Sequence, residues 1–137
     1  MIIPYPIDDL IRFAYDAGID DVIDYPDPRC PRARYICCSG VHLICVNPTL
    51  LNDTMSRRCA LAHEISHFIV GVGGEHIDGE SRDEERARRY ARRLLMPDKW
   101  ILDRLTLPVW EISEQAGVYQ NWAAARIRDM ERVLSYV

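Results

Sequence analysis

Apolar positions along this chain fall into distinct periods, and each period predicts a different element. Ile7, Leu10, Ile11 and Ala14 share one face of a helix over Ile7–Ala17, with Gly18 placed to end it. β-prone runs follow at residues 22–25, Ala33–Cys38 and residues 41–47. Only Ser39-Gly40 separates the last two, which predicts a tight hairpin. The stretch Pro26-Asp27-Pro28-Arg29-Cys30-Pro31 cannot sit inside a sheet. A helical period then runs from residue 52 or 54 to residue 70, stopped near Gly71, and another spans residues 81–96, ended by Pro97. The glycine-rich residues 71–80 between them predict a flexible loop. Three shorter helical segments, near 98–105, 109–116 and 120–134, complete the chain. Helix, strands, then helices predict an α+β fold with a small antiparallel sheet rather than alternating βαβ units.

The helix through residue 70 carries the chain's central chemical signal. At about 100° per residue, Met55, Cys59, Leu61, Ala62, Ile65, Phe68 and Ile69 cover a wide apolar arc. Ser56, Ala60, His63 and His67 fill the narrow notch left over. Within it, His63-Glu64-Ile65-Ser66-His67 is an H-E-x-x-H motif. Residues four apart stand one turn above each other, so both imidazoles can reach one metal ion. Glu64 projects about 100° away, where its carboxylate is free to accept a proton from water. The blander alternative is a pair of satisfied core histidines beside an exposed glutamate, but histidines in the notch of a buried helix suit a metal site better.

A zinc site of this type needs a third protein ligand and one open position. The arrangement H-E-x-x-H-x-x-G-x-x-H fails here, because Val70 and Gly73 stand where Gly and His would be required. Downstream candidates are Glu75, His76, Asp78, Glu80, Asp83, Glu84 and Glu85. On the helix over residues 81–96, Glu84 lies within the apolar stripe of Ala87, Tyr90, Ala91, Leu94 and Leu95, while Arg82, Arg86, Arg89 and Arg93 cluster opposite. An inward carboxylate is costly to bury unless it is paired or bound to a metal. A capping box, Ser81-Arg82-Asp83-Glu84, would also explain Glu84 by sending its side chain back to a backbone N–H. Both roles fit the sequence.

These residues resemble the ImmA/IrrE-like metallopeptidases of phages and mobile elements. That family follows its H-E-x-x-H helix with E-x-x-A-N-x-F-A-x-x-L-L-M-P. Here the second part reads Glu84-Glu85-Arg86-Ala87-Arg88-Arg89-Tyr90-Ala91-Arg92-Arg93-Leu94-Leu95-Met96-Pro97. Leu61-Ala62-His63-Glu64, the strand ending at Asn47 and the segment over residues 112–126 also look like the family. Arg88 departs from its Asn and Tyr90 from its Phe, and the first change sets a cation beside Glu84. The resemblance implies a zincin-like, gluzincin-type domain with zinc on His63, His67 and Glu84 and with Glu64 as the catalytic base. It further implies cleavage of a helix-turn-helix repressor that controls phage or mobile-element genes. Two imidazoles and one carboxylate suit zinc among the divalent metals. For the oxyanion, His76, Arg88 and Tyr90 are available and none is assigned.

Composition narrows the setting. A length of 137 residues predicts one domain. No apolar run approaches the roughly 20 residues of a membrane span. The start, Met1-Ile2-Ile3-Pro4-Tyr5-Pro6, lacks the features of a secretory signal, so the expectation is a cytoplasmic protein. The cysteines Cys30, Cys37, Cys38, Cys45 and Cys59 form no C-x-x-C pair and are expected as free thiols. Net charge is −4, yet residues 82–93 hold six Arg against three acids, which reads as a solvated helix face. His42, in a strand apolar on both faces, is expected as a packing or edge residue, and an extended substrate could pair with an exposed edge of the hairpin's 41–47 strand.

Two other function classes remain on the sequence. Ile112-Ser113-Glu114-Gln115-Ala116-Gly117-Val118 and the following helix look like a weak helix-turn-helix, but residues 109–137 carry four acids against three Arg. Direct nucleic-acid binding is therefore not expected, and Trp110, Ile112, Trp122, Ile127 and Val133 are expected to close the core instead. A regulatory or toxin-like partner that binds a repressor without cutting it needs the same fold and the same protein partner.

Overall fold

The computed structural model describes residues 3–26, 29, 32–71 and 80–136. In chain order the elements are α1 (Ile7–Ala17), β1 (Asp21–Asp24), β2 (Ala33–Cys38), β3 (Val41–Val46), α2 (Thr54–Gly71), α3 (Glu80–Leu95), α4 (Asp98–Leu102), α5 (Val109–Ala116) and α6 (Gln120–Leu134). The α+β expectation holds. The loop expected over residues 71–80 lies largely outside the described residues, as does Cys30.

The sheet corrects the sequence reading. Its order is β1-β3-β2, with β2 antiparallel to β3 and β1 parallel to it, so the sheet is mixed rather than antiparallel. The hairpin is local and forms as expected: Ser39 (φ 53°) and Gly40 (φ 78°) both take left-handed backbone, as a two-residue turn between right-twisted strands requires. β1 is placed by a longer path. It ends level with Val46, where β2 begins. Main-chain bonds from Tyr25 N to Val46 O and from Asn47 N to Arg32 O fasten the end of β1 and the start of β2 to the same end of β3. β3 is thereby central, with Ile44, Cys45 and Val46 buried in succession on both faces.

α2 begins at Asp53, whose carboxylate accepts the Ser56 N–H (2.8 Å) and hydroxyl (2.7 Å) and so satisfies an otherwise orphaned donor. Cys59, Leu61, Ala62, Ile65 and Phe68 are buried as the arc predicts, while Ser56, Ala60, His63 and His67 are half-buried in the notch. Met55, at the exposed first turn, is outside the core. The helix packs against β2, β3 and α1, and its most extensive interface is with α3. Leu10, Ile44, Leu61, Ile65, Leu95, Met96, Ile101, Ile112 and Met130 belong to one buried cluster that runs from α1 to α6. Trp122 and Ile127 pack against that cluster, but Trp110 (56 % exposed) and Val133 (58 % exposed) do not close it. On α5 the inward pair is Ile112 and Ala116, and Trp110 is turned away from both; on α6 Val133 lies past the last buried position, Met130. No helix among the described residues is long and apolar enough to cross a membrane. Cys37 and Cys38 are exposed and Cys45 and Cys59 buried, each as a thiol outside any disulfide.

Arginines do structural work that composition did not foretell. Arg58 of α2 is fully buried and donates to the carbonyls of Pro4, Tyr5, Ala116 and Gly117 at 2.7–3.2 Å, tying the N-terminal segment and the end of α5 to the motif helix. Burial holds its guanidinium pKa below the usual value. Gly117 (φ 65°) is needed beside it, because an added Cβ would stand 2.7 Å from Arg58 Nη1. On α6, buried Arg126 donates to Met96 O (2.8 Å) and Asp98 (2.6 Å), and Asp129 receives two bonds from Arg92 of α3 (3.0 and 3.2 Å). Arg92 is thus buried between α3 and α6 instead of lying on the solvated face. Arg58→Ala strands these carbonyls in the interior and is expected to cost about 3 kcal/mol or more, read from urea unfolding midpoints at constant m.

Candidate metal centre

Both histidines of α2 point across the α2–α3 interface at one residue. His63 Nε2 stands 2.9 Å from Glu84 Oε1, and His67 Nε2 stands 2.9 Å from Glu84 Oε2. The two ring nitrogens are 3.0 Å apart, with their rings nearly perpendicular at 78°. Helical spacing supplies the histidine pair, and the docking of α3 supplies the carboxylate. Side-chain exposures of 23 %, 24 % and 31 % for His63, His67 and Glu84 leave the cluster reachable from solvent on one side.

The donor set fits a divalent cation. Ligand atoms each about 2.0–2.1 Å from a tetrahedral zinc stand about 3.3 Å from one another, so the observed triangle needs only a slight opening. Among the described residues, His63, His67 and Glu84 are the group of three ligating side chains that converges in this way. Burial, reinforced by His67, lowers the His63 pKa, and Arg88 adds to the effect while Glu84 opposes it. The imidazole is therefore kept in the neutral form a metal requires.

The other candidates part company here. Asp83 lies 3.9 Å from Arg86, and Glu85 pairs with Arg89 (3.5 Å) and Arg92 (3.7 Å). Glu75, His76, Asp78 and the side chains of Glu80 and Ser81 lie outside the described residues, and with them the proposed capping box. Both carboxylate oxygens of Glu84 are directed at the histidines.

Glu64 stands apart from this triangle. Its Oε2 accepts the main-chain N–H of Tyr35 at 2.9 Å, so an outward-facing donor of β2 meets the motif helix. Burial raises the Glu64 carboxyl to about 7; Glu84 adds to the rise, and the Tyr35 N–H and Arg34 work against it. The free sheet edge near the site therefore belongs to β2, because β3 has a partner on each side. This corrects the expectation that residues 41–47 would offer it. His42 proves to be a packing residue: its Nδ1 lies 2.7 Å from the Tyr35 hydroxyl, and its ring contacts Tyr35 and Phe68 at centroid distances of 6.0 and 5.0 Å.

Arg88, the departure noted in the sequence, places Nε 3.5 Å from Glu84 Oε1. A cavity of about 450 Å³ opens beside His63 and Glu64, lined further by Ala33, Leu51, Cys59, Tyr119 and Trp122. The contributions of β2 and α6 to this space went unread in the sequence, since nothing local marks Tyr35 or Trp122 as neighbours of the motif.

A peptidase family model described as the IrrE N-terminal-like domain matches residues 23–127, most of the chain. The chain belongs to this family. The match spans β3, the motif helix, α3 and most of α6, and so includes every side chain of the cluster. Metallopeptidase chemistry is what membership implies for the site. No curated protein and no solved structure gives a significant match.

Two outcomes are expected. Purified protein takes up one zinc ion per chain, and His63→Ala or Glu84→Gln weakens uptake by about a hundredfold or more, beyond the loss typical of residues that merely support a ligand, as read by competition with a chromophoric chelator. In chelator-treated protein, Glu64 binds its proton more tightly folded than unfolded. Its stabilising contribution is therefore complete below pH 4.5 and is lost as pH rises through about 7. From the lower limit to above the upper one, the stability of Glu64→Gln relative to wild type should rise by about 3 kcal/mol in denaturant titrations.

Proposed function

We propose that this protein is a zinc-dependent endopeptidase of zincin-like design, in which His63, His67 and Glu84 hold the metal and Glu64 is the catalytic base. The observation that carries the reading is the convergence of donor atoms from two helices at 2.9–3.0 Å, with a second, separate carboxylate beside them. Zinc bound there would supply Lewis acidity, polarising the scissile carbonyl and making water easier to deprotonate. Glu64 takes the proton from the attacking water and returns it to the leaving amine nitrogen. Burial favours a proton on this carboxyl, raising it to about 7 in the metal-free protein, and a cation bound beside it would draw it back toward the ionised form that accepts the proton. The outer edge of β2, already donating the Tyr35 N–H toward the site, gives an extended peptide a strand to pair with.

The substrate we assign is a helix-turn-helix repressor of phage or mobile-element genes, acting with the enzyme in the cytoplasm. The support for it is the family resemblance of the motif and of the α3 sequence. A helix-turn-helix role for α5 and α6 themselves has less support, since Ile112, Ala116, Ala123 and Met130 are spent on the core.

The test is a cleavage assay with a repressor encoded beside the protein's own gene. Glu64→Gln should retain zinc and lose about a hundred- to ten-thousandfold in rate. Undiminished cleavage by that variant removes Glu64 from the mechanism. Stable binding of the repressor by the wild type, with no cleavage, replaces the peptidase by a regulatory partner.

A further inference from the structure

A second cavity meets the first at the metal centre, and the two differ in chemistry. They share His63 and Trp122. The first, of about 450 Å³, is mainly apolar beyond the catalytic residues, with Ala33, Leu51, Cys59 and Ala60 in its wall and a single guanidinium, that of Arg32, at its border. The second, of about 420 Å³, is lined by Arg88 and Arg92 of α3 and by Asn121, Ala125 and Arg128 of α6, with no acidic side chain in its lining. His63 therefore sits where an apolar compartment gives way to a cationic one.

The three guanidiniums are not equally available. Arg92 is neutralised by its two bonds to Asp129 and serves as a fixed wall. Arg88 is 56 % exposed, and its recorded partner, 3.5 Å away, is Glu84, a carboxylate already shared by two histidines. Arg128 is exposed and makes no ion pair with the described residues. Holding like charges around one concavity is unfavourable until an anion enters it, and the field in such a cleft concentrates anionic ligands.

Resting on the peptidase reading, the geometry points to a specificity subsite: Arg88 and Arg128 receive an acidic side chain of the substrate on one side of the scissile bond. The apolar compartment takes an uncharged side chain on the other. An acidic peptide is the occupant assigned in preference to a nucleic-acid strand, because the cationic concavity shares His63 and Trp122 with the compartment that holds Glu64.

Binding can be read without turnover. Fluorescein-labelled peptides with one common apolar core, flanked by glutamate or by lysine, are titrated against zinc-loaded Glu64→Gln protein by anisotropy. The glutamate peptide should bind about tenfold more tightly at low salt, with the gap closing as salt is raised. Arg128→Glu should abolish the preference, while Arg132→Glu, an equal charge change at the exposed end of α6, should leave most of it. Equal affinities, no measurable binding of either peptide, or tighter binding of a single-stranded oligonucleotide would overturn the subsite. A wild-type digest of a proteome-derived peptide library separates the two ideas. Cleavage without enrichment of acidic residues sinks the subsite and spares the peptidase. Selective binding without any cleavage does the reverse.

Discussion

The docking of α3 against α2 is the constraint on which the site depends. A helix can place two histidines one turn apart unaided, but it cannot supply the third group, which has to arrive from another element at the correct height. Glu84 arrives because Ala87, Ala91, Leu94 and Leu95 bury the same face of α3. Small alanines let the helices approach, and the larger leucines fix the depth. The carboxylate is consequently held against two imidazoles by packing spread over several turns, a more rigid support than a loop would give.

Around that contact, protons and charges are distributed unevenly. His63 is pressed toward its neutral form, and Glu64, only one residue away, is pressed toward its protonated form. Burial is the leading cause of both shifts, and it acts in opposite directions on a base and an acid because it penalises whichever form carries charge. One neighbour is thus prepared to give electron pairs and the other to exchange a proton. The Tyr35 N–H tempers the second effect and ties Glu64 to the edge of the sheet.

The abundance of arginine resolves into two uses. Arg58, Arg92 and Arg126 are buried and join segments remote in sequence through main-chain carbonyls or paired carboxylates, a task suited to a planar group with several fixed donors. Arg88 and Arg128 border the cleft and remain accessible. The same residue type therefore cements the interfaces that shape the site and sets the charge of what can enter it.

What the chain determined by itself is whatever depends on near neighbours. The turn at Ser39-Gly40, the helical register of His63 and His67, the apolar arc beneath them and the inward placement of Glu84 all follow from periods of two or about 3.6 residues. The parallel pairing of β1 with β3 does not, because the two strands are joined through another strand and meet only when the sheet assembles. Burial of Arg58 was equally hidden, since a cation among apolar positions is tolerable only if distant carbonyls converge on it. The meeting of Tyr35 with Glu64, and of Arg128 with Arg88, likewise joins residues far apart in the chain. Local stereochemistry aimed the two histidines and the carboxylate, and long-range packing decided what surrounds them.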